Sequence, residues 1–344
     1  MQAVVLHEHG GPEVLVSERI EQPEPGPGEV RVAVKAVAIN HLDIWVRKGG
    51  PAFHLEYPHR LGADIAGVVD AFGPGAGDGA FSVGDRVVVN PGISCGRCQA
   101  CLSGDDNLCR HYHIMGESTQ GGYAEYAVVP RQNLVPFPGE RSFEEASATL
   151  LPFLTAWQML VRKARIRPGE LVLVQGAGSG VGVAAVQICK LFGARVIATA
   201  GTNDKLDKAR ELGADETVNY RERDFVAEVR GLTDKRGVDV VFEHVGGDTF
   251  AKSIKITRNG GRIVTCGATS GFTPAIDLRH VFFRQIQILG STMGSKGDLF
   301  EVLRHVESGA LKPVIHTVMP LAKAGEAHSL LEDRAAFGKV VLTP

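Results

Sequence analysis

"VLVQGAGSGVGVAAVQ", residues 172–187, is the stretch on which the fold turns. Val172, Leu173 and Val174 read as the end of a buried strand, and "VAAVQICKLFG" (183–193) as the helix after it. Between them stand Gly176, Gly178, Gly180 and Gly182. A glycine-rich turn alone is a weak sign. Here a second strand, "ARVIATA" (194–200), completes a strand–turn–helix–strand unit of about thirty residues, the setting in which such a turn binds a dinucleotide. Missing β-carbons let the backbone approach a pyrophosphate, and the helix start offers free N–H groups and the positive end of its dipole. Gly176, Gly178, Ser179, Gly180, Val181 and Gly182 are therefore the expected cofactor contacts.

The end of the second strand says which dinucleotide. An NAD site carries Asp or Glu there, accepting from the ribose 2′-hydroxyl. This chain reads Ala200-Gly201-Thr202-Asn203-Asp204-Lys205, with no carboxylate at the Ala200 position. Thr202 can hydrogen-bond a 2′-phosphate and Lys205 can meet its charge, although Asp204 works against both. The sequence thus favours NADP(H) over NAD(H).

Outward from this unit the pattern changes twice. Residues 1 to about 135 read as short strands ("AVVL", "EVRVAVKAVAIN", "DIAGVVDAFG", "DRVVVNPG", "AEYAVVP") punctuated by Gly and Pro, a β-rich module. From about 141, strands alternate with helices, the signature of a parallel sheet, although Pro152 is expected to kink or divide its helix. The stretch from Pro313 onward returns to strand–helix–strand. A length of 344 residues suits two domains. A net charge of −2 gives no footprint for nucleic acid or an anionic membrane surface. No apolar run reaches 18 residues and "MQAVVLHEHGG" has no signal-peptide pattern, so a cytoplasmic protein is expected.

In a reducing compartment a close cysteine cluster reads as a metal site. "PGISCGRCQACLSGDDNLC" (91–109) holds Cys95, Cys98, Cys101 and Cys109, spaced C-x2-C-x2-C-x7-C. Four thiolates close a zinc tetrahedron and leave no position for water or substrate, so one structural zinc per chain is expected. Cys189 and Cys266 lie in apolar stretches and read as core thiols.

A Gly/Pro-rich β module, a four-cysteine lobe and a glycine-turn nucleotide domain, in this order, resemble the medium-chain dehydrogenase/reductase superfamily. "AINHLDIWVRKG", "LGADIAGVV", "GGYAEYAVVP", "LTAW", "DVVFEHVGG", "GGRIVTCGATSG" and "FGKVVL" fall at its landmarks, and the resemblance covers essentially the whole chain. It implies a GroES-like catalytic domain over 1–140 and 292–344, with the zinc lobe at 91–112, and a Rossmann domain over 141–291. It also implies that Cys266, Gly267 and Met293 place backbone groups against the nicotinamide amide. The stretches "GRIVTCGATS" and "QIQILGSTMG" resemble the edge through which such proteins extend their sheet into a homodimer or homotetramer.

The departures bear on chemistry. Where zinc alcohol dehydrogenases place three catalytic zinc ligands, this chain has Asn40, Ala63 and Leu151, and Leu42 replaces the hydroxyl that relays the alcohol's proton. Ala and Leu offer no lone pair, and one carboxamide is a poor zinc ligand, so no catalytic zinc is expected. Asp43 is expected to pair with a cation, Arg47 being a candidate, and Asp64 to stand for the motif's Glu. This combination resembles the quinone oxidoreductase branch, whose metal-free members pass hydride from NADPH to quinones, enones or enals. Such small electrophiles need position and a hydrogen-bond donor toward the developing oxyanion, for which Asn40 is the candidate catalytic residue. An alcohol dehydrogenase and a non-enzymatic NADPH-binding protein are the rival expectations.

Overall fold

Apolar residues at every second position, Val30, Val32, Val34 and Ala36, drive a ten-residue strand through the centre of the first unit. The computed structural model describes residues 1–51 and 53–344, and two units divide the chain: Met1–Leu151 with Ser295–Pro344, and Pro152–Gly294.

The first unit begins with an antiparallel ribbon of β1 (Gln2–Val5) and β2 (Val16–Arg19). Next along the chain are β3 (Glu29–Ala38), α1 (His41–Lys48), β4 (Asp64–Phe72) and β5 (Arg86–Val89). The cysteine lobe carries β6 (Gly92–Ile93), α2 (Gln99–Leu102) and β7 (His113–Ile114), and the chain returns through β8 (Tyr126–Pro130) and β9 (Leu134–Pro136). Helix α3 (Phe143–Trp157) starts in this unit, where Phe143 and Ala148 pack on Ala36, Ala38 and Val341. That packing is why the division falls after Leu151 and not at 140, where the change of pattern in the sequence stands. Pro152 lies inside α3 without dividing it.

The second unit contains β10 (Leu171–Val174), α4 (Gly180–Leu191), β11 (Arg195–Ala200), α5 (Asn203–Glu211), β12 (Glu216–Asn219) and α6 (Phe225–Leu232). After these come β13 (Val238–Glu243), α7 (Phe250–Ile256), β14 (Thr257–Thr265), α8 (Leu278–Phe283) and β15 (Gln287–Gly290). All six strands are parallel, in the order β12-β11-β10-β13-β14-β15. That order reverses between β10 and β13, the switch point at which doubly wound sheets bind dinucleotides. Every residue of β10 and β13 is buried, as a strand covered on both faces requires.

The chain then re-enters the first unit with α9 (Lys296–Glu307), β16 (Ile315–Pro320), α10 (Ala324–Glu332) and β17 (Lys339–Thr343). The sheet order is β16-β17-β3-β4-β5-β9, with β8 also paired to β3. Register fixes which side chains meet. Val341 and Leu342 stand opposite Ala38 and Val37, and Ala38 stands opposite Asp64. Three strands remote in sequence therefore bring Lys339, Asn40 and Asp64 to one end of the sheet.

Candidate active site

At the switch point Gly176 takes a φ of +58°, a conformation that suits glycine. A β-carbon on Gly182 would lie 2.5 Å from the Gly176 carbonyl oxygen and 2.8 Å from Ala177 Cα, so α4 packs directly on the turn. Ser179 caps α4 by accepting from the Gly182 N–H at 3.0 Å. The first turn of α4 thus presents backbone donors at the C-terminal edge of the sheet, where an anion is stabilised.

Behind the turn lies a buried pair that the sequence alone did not single out. His244 Nε2 is 2.8 Å from the Gln175 carbonyl oxygen and 3.3 Å from Ser179 Oγ. Glu243 accepts from the Val245 and Gly246 N–H groups at 2.7 and 3.1 Å and from the Thr249 and Ser253 hydroxyls. Burial holds the His244 pKa below its ordinary value. The neutral ring therefore donates its Nε2–H to Gln175 and buckles β10 to β13. "FEHVGG" contained the signal: polar residues closing a fully buried strand.

At the neighbouring strand ends, Thr202 caps α5 by accepting from the Lys205 N–H. Cys266 comes directly after β14, and burial pushes its thiol up to about 12, which removes it as a nucleophile. Gly267 O accepts from the Thr265 hydroxyl at 3.2 Å. Met293, past β15, is buried with a φ of +50°, a left-handed conformation uncommon outside glycine. Ser291 Oγ is buried with no hydrogen-bond partner among the described residues. The open turn and this orphaned hydroxyl fit a dinucleotide, which these backbone groups would hold.

In the first unit, the three-strand meeting is a closed polar network. Lys339 Nζ donates to Asn40 Oδ1 at 2.5 Å and to Asp64 Oδ2 at 3.2 Å. Asn40 Nδ2 donates to Asp64 Oδ2 at 2.9 Å and, at 3.4 Å, to the Ala38 carbonyl. Asp64 Oδ1 accepts from the Leu151 N–H at 2.8 Å. Burial pushes Asp64 up and Lys339 down, and their mutual attraction opposes both shifts. Lys339 was not anticipated; its signal was a lysine opening a strand otherwise buried and apolar.

Asp43 does not pair with Arg47. Its carboxylate accepts from the Asn40 N–H at 2.7 Å and the Gly62 N–H at 2.9 Å, and burial raises its pKa to about 6. Arg47 points the other way along α1, where its fully buried guanidinium meets Glu332 at 2.9 Å and His328 Nδ1 at 3.2 Å. Since Arg47 can only donate, His328 keeps its hydrogen on Nε2, 2.9 Å from Tyr123 Oη.

The lobe brings its four cysteines together. All four sulfurs lie within 4.8 Å of one another, the one such cluster of potential metal ligands among the described residues. Cys98 and Cys101 sulfurs are 3.5 Å apart and those of Cys95 and Cys101 3.9 Å. Zn–S bonds of about 2.3 Å place sulfurs about 3.8 Å apart in a tetrahedron, so the spacing fits a zinc ion. Backbone N–H groups of Arg97 and Cys98 pull the Cys95 thiol down to about 6, and the His111 N–H donates to Cys109 Sγ at 3.3 Å. Such bonds favour thiolates.

Family models match both parts of the chain: an alcohol dehydrogenase GroES-like domain over residues 26–139 and a zinc-binding dehydrogenase over 180–308. The human quinone oxidoreductase is 31% identical over 350 residues, covering 99% of this chain and 97% of its own. A 2-haloacrylate reductase from Burkholderia is 30% identical, covering 100% and 99%. A crystal structure described as an NAD-dependent alcohol dehydrogenase is 58% identical, superposes with a TM-score of 0.95 and covers 100% of both chains. Among the described residues no helix is long and apolar enough to cross a membrane.

Proposed function

Because the chain belongs to the medium-chain dehydrogenase/reductase superfamily and is an NAD(P)-dependent oxidoreductase, we propose that it passes hydride from NADPH to a quinone or an activated enone or enal without a catalytic metal. One observation carries the reading. At the positions of the missing zinc ligands, Ala63 and Leu151 offer no lone pair, while Asn40 Oδ1 and Asp64 Oδ2 are both committed to Lys339 Nζ. A dication and an ammonium do not share those two oxygens. An acceptor conjugated with its own carbonyl tolerates the loss, because it carries its own electron sink. The quinone oxidoreductase and the 2-haloacrylate reductase act, by name, on acceptors of this class.

NADPH, when bound, supplies the hydride. The turn at Gly176–Gly182 would hold its pyrophosphate, and Cys266, Gly267 and Met293 would hold the nicotinamide amide. Asn40 is the donor to the acceptor's developing oxyanion: its N–H toward Asp64 is firm, whereas the one toward Ala38 spans 3.4 Å and is the one released to substrate. Lys339 and Asp64 keep the carboxamide in that orientation. The lobe holds one structural zinc on Cys95, Cys98, Cys101 and Cys109. The protein works in the cytoplasm; its assembly is a homodimer or homotetramer, which edge strand β15 and the exposed Leu278, Phe282 and Phe283 of α8 support. Light scattering checks the assembly state.

A second reading, oxidation of an alcohol, is favoured by the 58% identity to the NAD-dependent alcohol dehydrogenase structure. The two separate on a comparison of 1,4-benzoquinone, 2-cyclohexenone and a primary alcohol, each with and without a strong chelator, alongside zinc analysis. Reduction of the first two that resists the chelator, with one zinc per chain, supports the proposal. Alcohol oxidation that the chelator abolishes while the fold stays intact, with two zincs per chain, defeats it.

A further inference from the structure

At the end of β11, where Ala200 stands in place of the carboxylate of an NAD site, the next residue, Gly201, lies against two side chains from a neighbouring segment. A β-carbon on Gly201 would lie 2.8 Å from Tyr220 Oη and 3.0 Å from Arg221 Nε. These side chains come from the segment after β12, which the register of Ala200 opposite Asn219 brings alongside. The segment is pinned in place. Asn219 Oδ1 accepts from the Arg221 N–H at 3.1 Å, and Asn219 Nδ2 donates to Asn203 Oδ1 at 3.0 Å and Glu222 Oε1 at 2.9 Å. Glu222, the nearest acid in sequence, is thereby held by two carboxamides, since Asn203 Nδ2 also donates to it at 3.2 Å. Among the described residues no carboxylate pairs with the Arg221 guanidinium.

On its other side the segment walls a cavity of about 420 Å³. Its lining sets four cations, Arg221 and Arg223 from the loop and Lys252 and Lys255 from α7, against two acids, Glu222 and Asp224. Arg223 is offset by Glu228 at 3.3 Å, and Lys252 lies 5.7 Å from the Phe225 ring. The cavity therefore has a cationic balance beside the one strand end where a dinucleotide's adenosine ribose is recognised. An arginine near this end is the usual accommodation for a 2′-phosphate.

We infer that Arg221 is a specificity-determining residue of the cofactor site, its guanidinium meeting the 2′-phosphomonoester of NADPH from the β12 side while Thr202 and Lys205 meet it from α5. This rests on the NADPH reading above and extends it to a residue on a different strand. Planar guanidinium suits the task, because it presents paired donors to phosphate oxygens. Arg221 is exposed and its guanidinium holds no partner that its removal would orphan, so substitution leaves the fold alone.

The test uses the full chain and fluorescence titration of NADPH and NADH, with 2′-AMP and 5′-AMP as competitors. Wild type is expected to bind NADPH more tightly and to prefer 2′-AMP. Arg221→Ala should cut the NADPH-to-NADH affinity ratio about ten- to a hundredfold and erase the 2′-AMP preference, with Arg221→Lys restoring part of both. A wild-type preference that survives intact in Arg221→Ala overturns the assignment of Arg221 and leaves the NADPH reading standing. Equal affinities for the two cofactors in the wild type overturn both.

Discussion

The first unit contains two polar clusters of opposite origin. The four thiols of the lobe come from a fifteen-residue loop, Cys95 to Cys109, and meet because the loop is short. Lys339 and Asp64 open two strands and Asn40 caps the helix that follows a third, with 299 residues separating Lys339 from Asn40, and they meet because the sheet aligns those strands. The local cluster gathers four potential metal ligands; the long-range one pairs a buried ammonium with a buried carboxylate and a carboxamide. Difference in assembly predicts difference in failure. Loss of a lobe ligand should cost stability and spare chemistry, whereas loss at the strand junction should cost both.

The largest effect is expected at Lys339. Lys339→Met leaves Asp64 as a buried carboxylate without its cation, a change worth roughly 3–5 kcal/mol of stability, read by denaturant unfolding. Lys339→Met combined with Asp64→Leu should recover much of it; an equal loss in the double variant would mean that shape and not charge is decisive.

Cys98→Ser should come next, releasing zinc and costing about 3 kcal/mol, the value of closing a loop of this length. Hydride transfer measured below the new melting temperature should survive. Activity that disappears with the metal while the fold persists would erase the contrast between the clusters.

Asn40→Ala is the sharper probe of the junction. Turnover should fall about ten- to a hundredfold, some 1.4–2.7 kcal/mol, while NADPH affinity changes less, because the oxyanion appears only as hydride moves. A matched loss in cofactor binding would make Asn40 a structural residue.

The smallest effect concerns the other long-range network, Tyr123–His328–Arg47–Glu332. Burial and the Arg47 charge lower the His328 pKa to about 3, with Glu332 opposing. The unfolded chain, with an ordinary value of about 6.5, therefore binds the proton first, and stability falls as pH drops below about 6.5 toward 3. At pH 5 the loss is about 2 kcal/mol. Asp43, raised to about 6 by burial, has the opposite sign and gains stability over the same range. The measurement is the stability of His328→Gln minus that of wild type as a function of pH: the difference should grow in the variant's favour as pH falls below about 6.5, because the wild type alone carries the His328 loss while both keep the Asp43 gain; a difference that does not change with pH would show that His328 does not titrate in folding.

The same contrast explains what was legible. The glycine turn, the cysteine lobe and the alternation of strand and helix are written in neighbours, and each was readable from spacing alone. Resemblance supplied the domain plan and the expectation of no catalytic zinc, which rests on Ala63 and Leu151 having no donor atoms and needs no geometry to state. Lys339 was illegible because sheet register supplies its partners, His328 because its partners come from α1 and from the segment before β8, and Arg221 because only the pairing of β11 with β12 sets it beside Gly201. Arg47 shows the hazard most plainly. Asp43 is its natural partner by helical spacing, yet two backbone N–H groups take the carboxylate, and the arginine is drawn to α10 instead.

The interrupted first unit has a consequence for synthesis. Asp64 leaves the ribosome 275 residues ahead of Lys339, with the whole second unit in between. At about 5–20 residues per second the delay is roughly 14–55 s, ample time for the parallel sheet to fold first. Through that interval β3 and β4 lack the strand that brings their countercharge, and Asp64 has every reason to stay hydrated. The second unit is thus synthesised before the sheet of the first can be completed, and the arrival of β16 and β17 beside β3 supplies its last strands.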